Sequence, residues 1–280
     1  MSDRSPSAAL QGKVWFVGAG PGAADLLTVR ALRVMSQADV VLHDALITDE
    51  LLDWAPGARF IDVGKRCEGR ASTQSEINAA LIECAVSYRG VVRLKGGDPT
   101  VFGRLDEEID ALDAAGIEWE IVPGITAASA AAAAAGHSLT RRGVARRLDI
   151  VTPRLGRGED LAESDDWAEG LNPQGTVVLY MAGRMSAQCS QTLMARGFSG
   201  DTPVVAVRAA SWPDQSVERS TLGQIASAGL MTDGRPVVLM VGHALASRTA
   251  SEALRQSAEQ ALRSRLGQSA LPAVTVEVIA

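Results

Sequence analysis

The stretch VRLKGGDPTVFGRLDEE, beginning at Val92, carries an apolar run that ends in Gly96-Gly97-Asp98-Pro99, with Arg104 a few residues on. A second loop, Gly18-Ala19-Gly20-Pro21-Gly22, closes another apolar run near the N-terminus. Glycine at the end of a strand lets backbone come close to a ligand, because no Cβ stands in the way. Together the two loops imply a small ligand held against main chain, with specific charged groups at its rim.

One chemistry for the first loop is dinucleotide binding. Gly18, Gly20 and Ala23 fit a relaxed Gly-x-Gly-x-x-Ala pattern between strand and helix, and Asp39 or Asp44 offers a ribose acid. Pro21 argues against it, because proline removes an N–H from the turn that should embrace a pyrophosphate. The second glycine loop is also more than a nicotinamide site requires.

The chain has 280 residues, 46% of them hydrophobic and only 4% aromatic, so its cores must be built mostly from Ala, Val, Leu and Ile. Its net charge of −6 disfavours non-specific nucleic-acid binding while leaving room for a local basic site. Cys67, Cys84 and Cys189 are widely spaced and odd in number, which fits buried thiols in a reduced, cytoplasmic setting. His43, His137 and His243 are isolated in sequence, so no metal centre is expected. The N-terminal residues lack a long apolar stretch, and the alanine run Thr126 to Ala135 is too short to cross a bilayer, so no membrane partner is expected.

These loops need strands to position them. Runs at Val14–Val17, Val40–Leu42, Phe60–Val63, Val91–Leu94 and Trp119–Val122 read as strands, separated by helical spacing at Leu26–Gln37, Glu50–Trp54, Ser75–Val86 and Asp106–Ala115. Asp25 is a candidate cap for the first helix. Such alternation predicts a parallel α/β sheet whose ligand lies at the carboxyl ends of the strands. The alanine run from Ala127 predicts a tightly packed helix. Further strands are expected at Leu148–Val151, Thr176–Tyr180, Val204–Val207 and Pro236–Val241, with helices at Gln188–Arg196 and Leu222–Ala228. The expected organisation is an N-terminal α/β domain over residues 12–138, a C-terminal α/β domain over 139–246, and a helix-prone extension over 247–280.

In order along the chain, VGAGPGAADLLT, VVLHDAL, VGKR, VVRLKGGDPTVFGR, VPGITAASAAAAAAG and VVLYMA resemble the uroporphyrinogen-III C-methyltransferases, within the tetrapyrrole methylases that use S-adenosylmethionine. The resemblance implies a two-domain α/β tetrapyrrole methylase fold with the cofactor in the interdomain cleft, usually as a homodimer. It implies transfer of methyl groups to C-2 and C-7 of uroporphyrinogen III, giving precorrin-2 and S-adenosylhomocysteine. Cofactor contacts are implied for Pro21, Gly96, Gly97, Asp98, Val101, Thr126, Ala127 and Met181, and for Ala210 where the family often carries Gly. The family's proton acceptor matches Asp44, its proton donor Lys65, and a substrate-engaging arginine Arg104. Leu105-Asp106 stands where Gly-Gly is common, and Thr152-Pro153-Arg154 where Thr-Gly-His is common.

The residues fit that chemistry. The methyl donor is already reactive, so the protein must align a nucleophilic ring carbon and allow loss of a proton. Asp98 pairs with the cofactor ammonium, bonds another cofactor donor, or caps its own loop. Asp44 serves as proton acceptor or counter-charge, or as a plain turn residue. Lys65 assists proton movement, binds a carboxylate, or is simply exposed. Arg104, always protonated, is a carboxylate anchor or a surface ion-pair partner. Met181 is a cofactor contact or core filler. Against a polyanionic tetrapyrrole stand Arg141, Arg142, Arg146, Arg147, Arg154 and Arg157, six arginines in seventeen residues, with only Asp149 opposing them. Arg141, Arg142 and Arg154 are the substrate-binding candidates among these. If Arg154 has taken over carboxylate binding from the missing histidine, R154A weakens substrate binding much more than cofactor binding; equal substrate affinity in an equilibrium titration rules that role out.

Overall fold

The computed structural model describes residues 12–64, 72–153, 166–246 and 260. Strands β1 (Lys13–Gly18), β2 (Val40–His43), β3 (Arg59–Asp62), β4 (Gly90–Lys95) and β5 (Trp119–Val122) form one sheet in the order β3-β2-β4-β1-β5. Every neighbouring pair is parallel. All five carboxyl ends therefore reach the same edge, as the alternation of strands and helices predicts.

Side-chain alternation sorts each strand into two faces. Val14, Phe16, Val40, Leu42 and Val91 meet Leu81, Cys84 and Ala85 of α3 (Gln74–Ser87) and Leu105 and Leu112 of α4 (Leu105–Ala114). Val17, Val41, Val92 and Leu94 meet Ala31 and Met35 of α1 (Val29–Met35) and Leu51 of α2 (Asp49–Leu52). The Thr73 hydroxyl accepts from the Glu76 amide while Glu76 accepts from the Thr73 amide at 2.8 Å, a reciprocal cap that sets the start of α3.

The first helix begins later than its apolar spacing predicts. Ala24–Leu26 is a 3-10 turn, and Thr28, not Asp25, caps α1 by accepting from the Ala31 amide at 3.1 Å. The cap falls where the chain leaves extended backbone, and Asp25 lies inside the preceding turn.

The second sheet contains β6 (Leu148–Val151), β7 (Thr176–Leu179), β8 (Pro203–Arg208), β9 (Ser216–Thr221) and β10 (Val237–Val241) in the order β6-β7-β10-β8-β9. It is mixed: β6 and β7 are parallel, whereas β10 runs antiparallel to both β7 and β8, and β9 antiparallel to β8. Strand β9, SVERST, has no apolar alternation because it lies at the sheet edge with no residue buried. Helices α6 (Ser186–Ala195) and α7 (Leu222–Ala228) cover one face through Cys189, Leu193, Leu222 and Ile225.

The other face is covered by α5 (Ala127–Ala135). Ala128, Ala130, Ala131, Ala132 and Ala135 pack against Val178, Val205, Val207, Val238 and Met240. A side of methyl groups lets the helix lie close to branched strand residues, so the alanine run starts at the end of the first sheet and builds the core of the second. The described residues through Leu245 form one compact unit. Apart from Gln260, the expected extension over 247–280 lies outside the described residues.

Ala131 is fully buried and Ala133 is exposed on the same helix. A131L is expected to cost about 1–3 kcal/mol by overpacking. A133L should stay within about 0.5 kcal/mol, as exposed substitutions usually do. Urea denaturation of the two variants checks the difference.

Candidate active site

At the carboxyl edge of the first sheet, three loops meet backbone to backbone. The Gly20 amide donates to the Gly97 carbonyl at 3.1 Å, and the Gly97 amide donates back at 2.7 Å. Gly20 and Gly97 have φ of +71° and +69°, which glycine adopts without strain. A Cβ at Gly124 would lie 2.2 Å from the Gly97 carbonyl oxygen, and one at Gly18 would lie 2.5 Å from the Gly124 nitrogen. Only glycines permit this approach of the loops after β1, β4 and β5. Around Gly96, by contrast, a Cβ would meet no atom within 4 Å, so this strand end faces open space.

The same hydrogen bonds remove the dinucleotide alternative. The Ala19 amide is committed to the Lys95 carbonyl, Gly20 to Gly97, and Ala23 to the Ser211 hydroxyl, while Pro21 has no amide hydrogen. The loop has no row of amides to offer a pyrophosphate.

Asp98 holds the loops together. Its Oδ2 accepts from the Gly124 amide at 3.0 Å, and its Oδ1 accepts from the Thr100 amide at 2.8 Å and from the Thr100 hydroxyl. Both oxygens thus have protein donors, which fits the loop-capping alternative for this residue.

Tyr180, a residue without a sequence signal of its own, joins the two sheets. It follows β7, and its phenol oxygen bonds the Thr126 hydroxyl at 2.5 Å and accepts from the Ala128 amide at 2.6 Å. Burial pushes the phenol above its ordinary pKa. Its ring meets Phe102 edge-on at 5.6 Å. Next to it, Met181 is 48% exposed with φ of +58°, so it is not core filler. Thr126 and Ala127 open α5 at this point. Val101 is half-buried in the turn after Asp98, and Ala210 is buried in the loop after β8.

The remaining candidates separate. Asp44 lies at the end of β2, where its Oδ1 accepts from Arg93 Nη2 at 2.7 Å. Arg104 is exposed and forms a two-point ion pair with Glu107, both contacts at 2.7 Å. Arg141 and Arg142 occupy an exposed turn closed by backbone pairing of Arg141 with Ala145. Lys65 and Arg154 lie outside the described residues, as do Cys67, Arg157 and the acidic residues Glu159 to Asp165.

Arg93 belongs to a buried charge cluster that sequence reading misses. Val91, Arg93 and Lys95 share the strand face turned towards α3 and α4. There Glu108 accepts from Arg93 Nε at 3.1 Å and from Lys95 Nζ at 2.7 Å, with Gln74 adding a contact at 3.3 Å. The side chains of Arg93, Lys95 and Glu108 are at most 5% exposed. Burial opposes the charge on Arg93, but Asp44 and Glu108 outweigh it and hold the guanidinium protonated. Burial, reinforced by the neighbouring guanidinium, pushes the Lys95 ammonium below its ordinary pKa despite Glu108. Two charges in alternating positions on a central strand were the available signal.

Backbone strain marks the same region. Among the described residues, the non-glycines with positive φ are Phe102, Arg104, Met181, Ala209 and Ser211. They lie in the loops after β4, β7 and β8. Such conformations gather where a ligand site demands them.

An α/β protein with this glycine junction and a second sheet facing it through Tyr180 has recognisable relatives. Residues 13–226 match the family described as Tetrapyrrole (Corrin/Porphyrin) Methylases. The chain is 45% identical over 237 residues to a uroporphyrinogen-III C-methyltransferase of Paracoccus denitrificans, covering 84% of this chain and 82% of that protein. It is 42% identical to siroheme synthase 1 of Serratia proteamaculans over 83% of its own length but only 48% of that longer protein. A crystal structure of uroporphyrin-III C-methyl transferase from Thermus thermophilus complexed with S-adenyl homocysteine superposes with a TM-score of 0.71 at 34% identity, covering 84% of this chain and 99% of that one. The chain belongs to the tetrapyrrole methylase family.

Removing Glu108 alone leaves two buried cations facing Asp44. E108Q is expected to lower stability by about 3–5 kcal/mol, the usual cost of breaking a buried pair. The double variant K95M/E108Q removes one charge of each sign and should recover most of that loss. Denaturant midpoints of the single and double variants decide it.

Proposed function

We propose that this chain transfers methyl groups from S-adenosylmethionine to C-2 and C-7 of uroporphyrinogen III, giving precorrin-2 and S-adenosylhomocysteine. The observation that carries this reading is the junction of Gly20, Gly97 and Gly124, joined through Thr126 to Tyr180 of the opposite sheet. It forms a backbone-lined edge with open space at Gly96, in a chain whose relatives include a methyltransferase crystallised with the demethylated cofactor. We read residues 12–138 and 139–246 as two domains, with α5 spanning from the first to the core of the second.

The donor set fits the cofactor. Pro21, Gly96 and Gly97 offer close main chain, and Met181 and Ala210 contribute apolar surface from the second sheet. Val101, Thr126 and Ala127 complete the lining. Asp98 shapes the loop through Gly124 and Thr100. Bound S-adenosylmethionine supplies a methyl group activated by a sulfonium.

The protein then needs orientation and a counter-charge. Arg93 fixes one oxygen of Asp44, and the second oxygen is assigned to the substrate. There it offsets the positive charge that develops on the pyrrole and takes up the proton that the methylated ring system loses. Lys65 assists that proton movement. Arg141, Arg142 and Arg154 take substrate carboxylates. Arg104 joins them by exchanging Glu107 for a substrate carboxylate, since its guanidinium already holds one.

Anaerobic incubation with S-adenosylmethionine and uroporphyrinogen III, followed by mass analysis, should show addition of two methyl groups. No mass gain under conditions where a known methyltransferase succeeds overturns the reading. D44N should lower kcat by about a hundredfold or more if its carboxylate handles the proton, with S-adenosylhomocysteine affinity unchanged.

A further inference from the structure

Trp212 reaches from the second half of the chain onto the first glycine loop. It lies in the loop after β8, next to Ser211, whose φ is +68°. Its indole Nε1 donates to the Pro21 carbonyl at 2.9 Å. One residue earlier, the Ser211 hydroxyl accepts from the Ala23 amide at 3.1 Å. These two bonds bracket Gly22. A Cβ there would lie 2.0 Å from Trp212 Nε1 and 2.1 Å from Cδ1, and φ of +146° disfavours any other residue as well. Gly22 is the slot into which the indole fits.

The ring is also held from within the second half of the chain. The Arg235 guanidinium lies 5.0 Å from the ring centroid, close enough for a cation–π contact. Arg235 is held in turn by Asp214 at 3.1 Å. The Ser211 amide donates to Gln215 Oε1 at 2.7 Å, which anchors the strained turn. Beside the contact is a cavity of about 330 Å³ lined by Gly22, Ala23, Thr48, Glu50, Ser211, Trp212 and Pro213.

We infer that Trp212 is a positioning residue for the methyl-donor site, fixing the Pro21 segment against the loop that carries Ala210. The inference rests on the proposed reading that Pro21 and Ala210 face the cofactor. Those two residues come from different sheets, and neither sheet's own hydrogen-bond ladder sets their separation. The Trp212–Pro21 and Ser211–Ala23 bonds join the two loops directly. A loop already held in its binding position loses less conformational freedom when a ligand arrives, which raises affinity.

Calorimetric titration of S-adenosylhomocysteine tests this at a temperature where all variants are folded. W212F keeps an aromatic ring but loses the N–H, and should weaken binding about threefold to tenfold, the equilibrium worth of one hydrogen bond. W212A, which also empties the Gly22 slot, should weaken it further. Exchange of the Ala23 amide should rise in W212F as the loop loosens, with cofactor absent. A purely structural role would lower the melting temperature and leave affinity in the folded protein unchanged. Wild-type affinity in W212F, with Ala23 exchange unaltered, overturns the inference while leaving the methylase reading intact. Absence of binding by the wild-type chain overturns that reading, and this inference falls with it.

Discussion

An arginine placed in the middle of a parallel sheet must be neutralised where it stands. Arg93 is on β4, the central strand, and its side chain is only 2% exposed. Taking a guanidinium out of water costs several kcal/mol unless it is paired and its hydrogen bonds are satisfied. Glu108 answers from α4, and Asp44 answers from the end of β2. The Leu94 carbonyl is a third partner, at 3.2 Å. This requirement ties a helix and a neighbouring strand to β4 and determines where the Asp44 carboxylate stands. Lys95 makes the balance complete: two cations face two carboxylates, and three of the four are buried. An apolar quartet of similar volume would often be as stable. What the charges add is a defined position for a partly exposed carboxylate at the strand edge.

The glycine junction solves a different problem by removing side chains. Parallel strands bring their ends to one edge, but ordinary loops would be kept apart by Cβ atoms. Gly18, Gly97 and Gly124 let the loops after β1, β4 and β5 touch through backbone. The contact also commits the Ala19 and Gly20 amides of the first loop, which separates this site from a phosphate cradle built at a helix N-terminus. Asp98 then locks the junction with bonds to Gly124 and Thr100. Of the readings its position left open, loop capping is the one these bonds display, and it makes Asp98 the brace of the ligand loop.

The elements of the first sheet were legible because each strand is a short, largely apolar run that ends near Gly, Pro or a charged residue. That pattern also put the loops holding Gly96, Gly97 and Thr126 at one sheet edge, whereas Met181, which follows β7 of the second sheet, was named only through the family resemblance. Strand β9 was hidden because an edge strand with no buried residue leaves no hydrophobic signature. The Asp25 cap failed because composition at a helix start does not say which residue is still extended. Arg93 and Glu108 pair across a strand-to-helix turn, and Trp212 meets Pro21 across 191 residues. Neither pairing has a periodic trace. Arg104 was assigned from the family resemblance and its permanent charge, with a surface ion pair left open, and its pairing with Glu107 one helical turn later has a geometry that only the folded helix supplies.

The two halves of the site are built by opposite means, and each needs the other. At its glycine junction the first sheet contributes backbone freed of side chains at little conformational strain, with Phe102 and Arg104 strained only further along the loop after β4. The second contributes Met181, Ala209 and Ser211 in left-handed conformations that cost on the order of 1–3 kcal/mol each for non-glycine residues. Such strain persists only where surrounding contacts outweigh it. Ala209 is buried, and its amide donates to the Pro236 carbonyl at 2.8 Å; Ser211 is held by Gln215 and by the Ala23 amide. The Ala23 bond comes from the first glycine loop. The strained turn of the second sheet is therefore supported in part by the loop it helps to position, so the two sides of the site are stable together rather than separately.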